Sequence, residues 1–299
     1  MSVRIAGSPW GGLHPENRAR GIGLVITSTA LFSVSDALAK HLTTTLPPVE
    51  VAWLRYLVFC LLAVPAAVIT KRSGIPLATR RPGIQALRGL AMVSSAILFT
   101  SGLKSLPIAD ATAISFAAPI LITALSIYVL GETVGPHRWA AGAIGLLGVL
   151  IIIRPGSSVF SAAATLPLMS ACVWACTVVV TRRMSGTETP GTTLAWSALV
   201  GFAVLSALLP IQWVMPALHQ VGFGVLIGLA ATLGQWLMIK AYANADASAL
   251  APFTYGQLIW STAIGFLVFS AVPSPWTLLG AVVIVGSGLY VAQVDRARI

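Results

Sequence analysis

The chain has 299 residues, of which 57% are hydrophobic and only 9% are charged, and its mean hydropathy is +0.90. A soluble domain of this length carries far more charge, so the composition excludes an ordinary soluble protein and indicates a membrane protein. The formal net charge of +10 does not indicate nucleic-acid binding, because no basic patch with interspersed aromatic residues accompanies it.

Apolar segments long enough to cross a bilayer recur along the whole chain. A helix needs about 20 apolar residues to cross a hydrocarbon core of about 30 Å. This criterion predicts an all-α integral membrane protein with about ten transmembrane helices, joined by loops too short to hold a soluble catalytic domain. The predicted helices cover residues 21–42, 48–70, 83–104, 107–130, 136–153, 160–181, 190–211, 217–240, 247–271 and 275–294.

Arginines and lysines are concentrated in alternate loops and in the two tails of the predicted bundle. Such segments lie in the cytoplasm under the positive-inside rule. We therefore expect residues 1–20 and 295–299 to be cytoplasmic tails, and the first apolar run, which lacks a cleavage site, to remain as a span. The basic residues that set this orientation are Arg18, Arg20, Lys71, Arg72, Arg80, Arg81, Arg138, Arg182, Arg183, Arg296 and Arg298.

Two segments of the chain have nearly the same sequence. Residues 103–120 read LKSLPIADATAISFAAPI and residues 239–256 read IKAYANADASALAPFTYG, and in both a lysine precedes an aspartate by six positions. At a separate constant offset of 142 residues, four further pairs match between the two halves of the chain. These pairs are Phe32 with Trp174, Ser35 with Thr177, Lys40 with Arg182, and Pro48 with Pro190.

The matches predict two repeats, residues 21–156 and residues 157–294, with five helices in each. Because five is odd, the second repeat enters the membrane from the opposite face, which is the inverted-topology arrangement of secondary transporters. In such repeats the substrate site lies between the halves, near the middle of the membrane. Chance similarity between helices rich in alanine and leucine is the alternative explanation.

The repeated charges lie at predicted helix ends. Lys104 and Asp110 flank the tight connection between the third and fourth helices, and Lys240 and Asp246 are placed equivalently in the second repeat. Each aspartate falls near a first helical turn, where a carboxylate accepts hydrogen bonds from free backbone N–H groups. Helix capping is therefore the interpretation we favour over contact with a substrate.

Three charged residues lie within the first two predicted helices. Asp36 and Lys40 are one turn apart in the first helix, and Arg55 lies at a similar depth in the second. Asp36 is about 9 Å inside the membrane boundary, where an ionisable residue is either functional or paired. One hypothesis is an Asp36–Arg55 ion pair that joins the two helices. The other is a role for the three residues in gating or in recognising a zwitterion.

Aromatic and polar side chains at mid-depth form the predicted substrate site. Phe32 and its repeat mate Trp174 lie too deep for an interfacial aromatic belt, whereas such a belt does explain Trp236. Ordinary core packing is the alternative for each aromatic residue. Amides at this depth need a protein partner or a wet cavity. The predicted substrate-binding residues are Phe32, Ser35, Phe99, Trp174, Thr177, Gln235, Tyr255 and Gln257.

Prolines and glycines within the spans predict bends and close helix contacts. Pro119 and Pro252 each remove a backbone hydrogen bond and are candidate hinges, with a static kink as the alternative. Glycines in the fifth and tenth helices allow close helix approach, so we expect these two helices to form a scaffold. These glycines are Gly142, Gly145, Gly148, Gly280, Gly286 and Gly288.

Catalytic and metal-binding motifs do not occur in the sequence. There is no phosphate-binding loop, HExxH or GxSxG motif, and the four histidines are scattered. Cys172 and Cys176 share a helical face, but nothing around them supplies a histidine or carboxylate, so buried thiols are favoured over a metal pair. We therefore expect no enzyme activity, no metal and no cofactor.

Two longer motifs resemble a known transporter family. Residues 130–156 read LGETVGPHRWAAGAIGLLGVLIIIRPG and residues 116–125 read FAAPILITAL. With the two five-helix repeats, they resemble the EamA branch of the drug/metabolite transporter superfamily from Gly21 to Gln293, and most closely its YddG-type aromatic amino-acid exporters. The second repeat departs from this pattern, because residues 268–276 (VFSAVPSPW) have no equivalent of the Gly-Glu pair that contains Glu132. The role of Glu132 stays open.

The resemblance implies a secondary-active or facilitative exporter of amino acids, including aromatic and other apolar ones. It would work by alternating access in the bacterial inner membrane, with small molecules and membrane lipid as its partners. The oligomeric state stays open, and a monomer is compatible with the sequence. A carrier of cationic drugs or of other small metabolites is the first alternative. An intramembrane enzyme is the second, and it would need a catalytic dyad at depth, which the sequence does not show.

Overall fold

The computed structural model describes residues 15–70, 77–131, 135–153, 162–184, 188–244, 250 and 253–296, and no strand occurs among them. These residues form eleven α-helices and one short 3₁₀ helix, Leu209–Ile211. The α-helices are α1 (Pro15–Leu42), α2 (Pro48–Thr70), α3 (Pro82–Ser105), α4 (Ile108–Ser115), α5 (Ala118–Leu130), α6 (Pro136–Ile153), α7 (Ala162–Met184), α8 (Pro190–Leu208), α9 (Leu218–Asn244), α10 (Gly256–Phe269) and α11 (Pro275–Arg296).

The lengths and positions of the apolar helical segments agree with the predicted membrane spans. Seven helical segments of the described chain are long and apolar enough to cross a membrane. Three shorter apolar helices, Trp139–Ile153, Gly256–Phe269 and Pro275–Tyr290, coincide with the remaining predicted spans. The prediction of an all-α membrane protein with about ten spans is therefore confirmed.

The fourth predicted span is not one continuous helix. It divides into α4 and α5 at a turn formed by Phe116 and Ala117. Pro119 lies in the first turn of α5. In an unbroken helix its ring would clash with the carbonyl group of Ser115, and it has no N–H group to donate. The proposed hinge at Pro119 thus lies beside a helix break, while Pro252 lies outside the described residues.

Eight segments of the bundle, with α4 and α5 counted as one, form a closed ring, which we call the helix ring. In order around it, α1 packs on α9, α9 on α2, α2 on α8, α8 on α3, α3 on α7, α7 on α4 and α5, α4 on α10, and α10 on α1. Neighbours in this ring always come from opposite halves of the chain. The two halves therefore interdigitate around one central axis, and α6 and α11 pack together beside α4.

The contact between α6 and α11 depends on two glycines. A Cβ atom added to Gly148 would lie 2.8 Å from the carbonyl oxygen of Gly280. Such a distance is shorter than side chains tolerate, so only glycine permits this backbone approach. The predicted close contact of the fifth and tenth spans is thus present at this pair.

We expect Gly280→Ala to lower the thermal stability of the protein, because the added methyl group would overlap the backbone of α6. Overpacking of this kind costs about 1–3 kcal/mol. Gly286→Ala is the matched control on the same helix, since no atom lies within 4 Å of its added Cβ position. The measurement is the melting temperature of both purified variants in detergent. Equal melting temperatures would contradict a tight contact between α6 and α11.

The two ends of the bundle are packed differently. We call the end that holds the C-termini of α1 and α3 the Lys40 end, and the opposite end the Arg88 end. The largest hydrophobic cluster joins Leu42 of α1, Leu103 of α3, Ile108 of α4 and Ile152 of α6 near the Lys40 end. At the Arg88 end, among the described residues, a small cluster around Val25 joins α1, α9 and the segment before α10. Within the part of the chain that the structure describes, the larger of these two clusters therefore lies at the Lys40 end.

Candidate functional site

Helical periodicity separates the outer face of α7 from the face towards the axis of the helix ring. Its exposed residues Thr165, Met169, Cys172 and Cys176 form one stripe. At about 100° per residue, Trp174 lies on the opposite side of the helix, yet it is 37% exposed. Trp174 is also twelve residues from the start of α7 and ten from its end. Trp174 thus lies near mid-depth on the face opposite the outer stripe, with part of its side chain uncovered.

Phe32 occupies the corresponding position on α1. The exposed residues Thr27, Val34 and His41 form the outer stripe of α1, and half-buried Phe32 lies about half a turn away from them. Its ring packs against α9, since a Cβ atom added to Gly234 would lie 3.0 Å from Phe32 Cε1. Because α1 and α7 are not neighbours in the helix ring, the two aromatic residues belong to different sides of it.

A polar cluster joins α1, α2 and α10 towards the Lys40 end. Arg55 Nη1 lies 3.8 Å from Asp36 Oδ1, and Asp36 is buried. Gln257 Nε2 donates a hydrogen bond of 3.4 Å to Asp36 Oδ2, while Ser33 Oγ donates to the Gln257 carbonyl oxygen at 3.2 Å. The structure thus brings Asp36 and Arg55 together and adds the Gln257 amide as a second partner of the carboxylate.

Lys40 makes its contacts across the ring rather than with Asp36. Its Nζ donates to the carbonyl oxygens of Leu103 and Leu106, at 2.8 and 2.6 Å. These carbonyl groups end α3, where a cation complements the helix dipole. The Phe269 ring of α10 lies 5.9 Å from the same nitrogen. Lys40 therefore joins α1 to the end of α3.

The two repeat-related hydroxyl groups of the predicted substrate site bond to backbone. Ser35 Oγ donates to the carbonyl oxygen of Ile227 at 3.1 Å, which ties α1 to α9. Thr177 Oγ1 donates to the Val173 carbonyl oxygen within α7 at 3.2 Å. In this conformation the Ser35 bond joins two helices and the Thr177 bond stays within one, and each hydroxyl group keeps only its acceptor capacity for other partners.

The remaining predicted substrate residues lie on several sides of the ring. Phe99 packs against the largest hydrophobic cluster. The Tyr255 ring lies 5.0 Å from that of Phe116, at the break between α4 and α5. Gln235 is half-buried on α9 and makes no hydrogen bond to any part of the chain that the structure describes. Trp236 is 50% exposed on the outer stripe of α9, as an interfacial residue would be.

A buried arginine of α3 was not among the predicted site residues. Arg88 is only 7% exposed. Its Nε donates to Thr181 Oγ1 at 2.7 Å, and its Nη1 donates to the Thr193 carbonyl oxygen at 3.4 Å and to Ser197 Oγ. No acidic side chain pairs with it in the described residues. An arginine inside a predicted span was the available sequence signal.

The other charged and metal-binding predictions have mixed outcomes. Asp110 lies in the first turn of α4 and accepts a hydrogen bond of 2.8 Å from Thr277 Oγ1, while Asp246 and Glu132 lie outside the described residues. Cys172 and Cys176 are exposed on the outer stripe of α7 rather than buried. Among the residues that the structure describes, no cluster of metal ligands occurs.

Comparisons with known proteins find transporters of similar length. The EamA-like transporter family matches residues 19–154 and again residues 161–292. A riboflavin transporter of Vibrio cholerae is 31% identical over 95% of this chain and 96% of that protein. An S-adenosylmethionine uptake transporter of Rickettsia bellii is 28% identical over 92% and 94%, respectively. The pseudopaline exporter CntI of Pseudomonas aeruginosa is 28% identical over 89% and 93%.

A solved crystal structure of another protein has the same fold. It superposes with a TM-score of 0.67 and covers 94% of this chain and 99% of that one, at 20% sequence identity. The family match to each half of the chain agrees with two repeats of one structural unit.

Proposed function

Because the chain belongs to the EamA-like transporter family, we propose that it carries a small metabolite with a flat ring system across the membrane by alternating access. The substrate would lie inside the helix ring, between Phe32 of the first repeat and Trp174 of the second. The Asp36–Arg55–Gln257 cluster would bind its polar groups from the Lys40 end. We thus propose a carrier rather than an enzyme.

The exposure of Trp174 is the observation that carries this proposal. A tryptophan that is open to space on the inner side of a mid-membrane helix offers a large flat surface for stacking. Apolar walls with a few polar anchors are typical of small-molecule sites. They tolerate several related substrates, so we propose broad rather than strict selectivity.

The relatives support a metabolite carrier better than an amino-acid exporter. Their substrates include S-adenosylmethionine and riboflavin, which carry an adenine ring and a three-ring flavin, respectively. Neither is an aromatic amino acid, so these relatives do not support the closer resemblance to the YddG type. The basic residues near the Arg88 end favour placing that end and both termini in the cytoplasm.

Transport by the purified full-length protein in liposomes tests the proposal. We expect labelled S-adenosylmethionine or riboflavin to exchange faster than in liposomes without protein. Liposomes with the Asp36→Arg variant, at an equal amount of inserted protein, control for leakage. Exchange of phenylalanine alone would instead support the amino-acid exporter. Exchange of none of the three compounds would contradict a carrier of either class.

A further inference from the structure

We propose that Arg88 binds an oxyanion of the transported molecule, either a carboxylate or a phosphate, where α3, α7 and α8 meet. This inference rests on the proposed function and deepens it, because it assigns a charge to the substrate. It also makes Arg88 a residue that determines specificity.

The charge of Arg88 is not balanced by the residues around it. Its contacts, Thr181, Thr193 and Ser197, offer two hydroxyl groups and one backbone carbonyl, all of them neutral. These bonds use only Nε and Nη1, so Nη2 keeps two N–H groups without a partner in the described part of the chain. Arg88 as a whole is largely buried, whereas Nη2 is not among the fully enclosed unpaired atoms of the described residues. A guanidinium group held at this depth without a counter-charge is costly in a membrane unless an anion completes it.

Comparison of the two repeats shows that a carboxylate is missing beside Arg88. At the offset of 142 residues, Arg55 corresponds to Ser197, and the Ser197 hydroxyl group contacts the Arg88 guanidinium group. A cation therefore lies at each of these two repeat-related positions. Arg55 itself occupies the one towards the Lys40 end, and Arg88 lies against Ser197 at the other. Asp36 neutralises the first cation. The residue equivalent to Asp36 is Val178, so the second cation has no carboxylate of its own.

The position of Val178 connects this place to the stacking surface. Val178 is four residues after Trp174 and therefore lies on the same inner face of α7. Thr181, which accepts from Arg88 Nε, follows three residues later. Seven residues of helix separate Trp174 from Thr181, a rise of about 10 Å. The substrate would accordingly place an oxyanion about 10 Å from its ring system, with the guanidinium fork binding two of its oxygens.

The first experiment supplies the missing carboxylate from the protein. We expect Val178→Asp to melt at a higher temperature than Val178→Asn, because only the aspartate can pair with Arg88. The difference in melting temperature should vanish or reverse when each of the two Val178 substitutions is combined with Arg88→Gln. The full-length protein is measured in detergent. The proposal is overturned if Val178→Asp melts no higher than Val178→Asn, or if the difference is as large without Arg88. Either result would mean that Arg88 does not accept an anion at this position.

The second experiment removes the oxyanion from the ligand. Two matched probe pairs are S-adenosylmethionine with its decarboxylated form, and riboflavin 5′-phosphate with riboflavin. For each pair, the affinity for the probe that carries the oxyanion is divided by the affinity for its mate. In at least one pair, we expect Arg88→Gln to lower this ratio at least tenfold. Arg88→Lys, which keeps the charge but not the planar fork, should lower it less. An unchanged ratio in both pairs would overturn the proposal.

Failure of this inference and failure of the proposed function give different results. If the wild-type protein binds no member of either pair, the proposed substrate class is wrong. The comparison of Val178→Asp with Val178→Asn still decides whether Arg88 accepts an anion. If the wild type binds both pairs while Arg88→Gln weakens all four probes equally, the proposed function stands. Arg88 is then a structural residue only.

Discussion

Charge reversal at Asp36 is expected to reduce transport by about a hundredfold or more. Asp36→Arg would place a second guanidinium group beside Arg55 and would remove the acceptor of the Gln257 amide. Loss of one partner of a buried ion pair costs about 3–5 kcal/mol, because the other charge stays buried and uncompensated. Initial rates of exchange in liposomes, at equal amounts of inserted protein, measure the loss.

The double variant Asp36→Arg/Arg55→Asp separates pairing from a direct role of either residue. If the two side chains act mainly through their mutual contact, exchanging them restores more transport than either single reversal retains. The same cycle applied to melting temperatures shows how much of the effect is structural. Losses that simply add in the double variant would contradict the pair.

Trp174→Ala is expected to lower the transport of ring-bearing substrates about tenfold to a hundredfold while the protein remains folded. Stacking and apolar contact with a flat ring together contribute about 1–3 kcal/mol. Because Trp174 is 37% exposed, its removal leaves little unfilled core. Competition between labelled riboflavin and unlabelled analogues measures the change in apparent affinity.

Trp236→Ala is the matched control for this prediction. It removes the same side chain from the outer stripe of α9, where Lys240 Nζ lies 3.6 Å from the ring centroid. That position faces away from the axis of the helix ring, so transport should stay within about twofold of the wild type. Equal losses from Trp174→Ala and Trp236→Ala would show that the inner face of α7 is not special.

Membrane thickness explains why the spans could be predicted from the sequence. A bilayer sets the length of every crossing helix, so the apolar runs alone located ten segments. The break at Phe116 and Ala117 was not predicted, because Pro119 is equally compatible with a kink inside a continuous helix. Only the packing of both halves of the span decides between a kink and a turn.

Side-chain partners were harder to predict than helices. Asp36 and Arg55 belong to consecutive helices, and their equal depth was sufficient to suggest a contact. Lys40 was grouped with Asp36 by helical spacing, yet it reaches across the ring to the end of α3. Arg88 was overlooked because its partners belong to α7 and α8. The order of helices around the ring, in which the halves alternate, cannot be derived from the order in the chain.

Accessibility of position 174 to water tests most directly whether the inner face of α7 lines the transport pathway. The measurement is labelling of Trp174→Cys by a membrane-impermeant thiol reagent, after replacement of Cys60, Cys172 and Cys176. Met169→Cys is the control, because Met169 is 52% exposed on the outer stripe of the same helix. We predict rapid labelling at position 174 that added substrate slows, and little labelling at position 169. Labelling at position 174 that is no faster than at position 169, or that no substrate slows, would contradict a substrate pathway along Trp174.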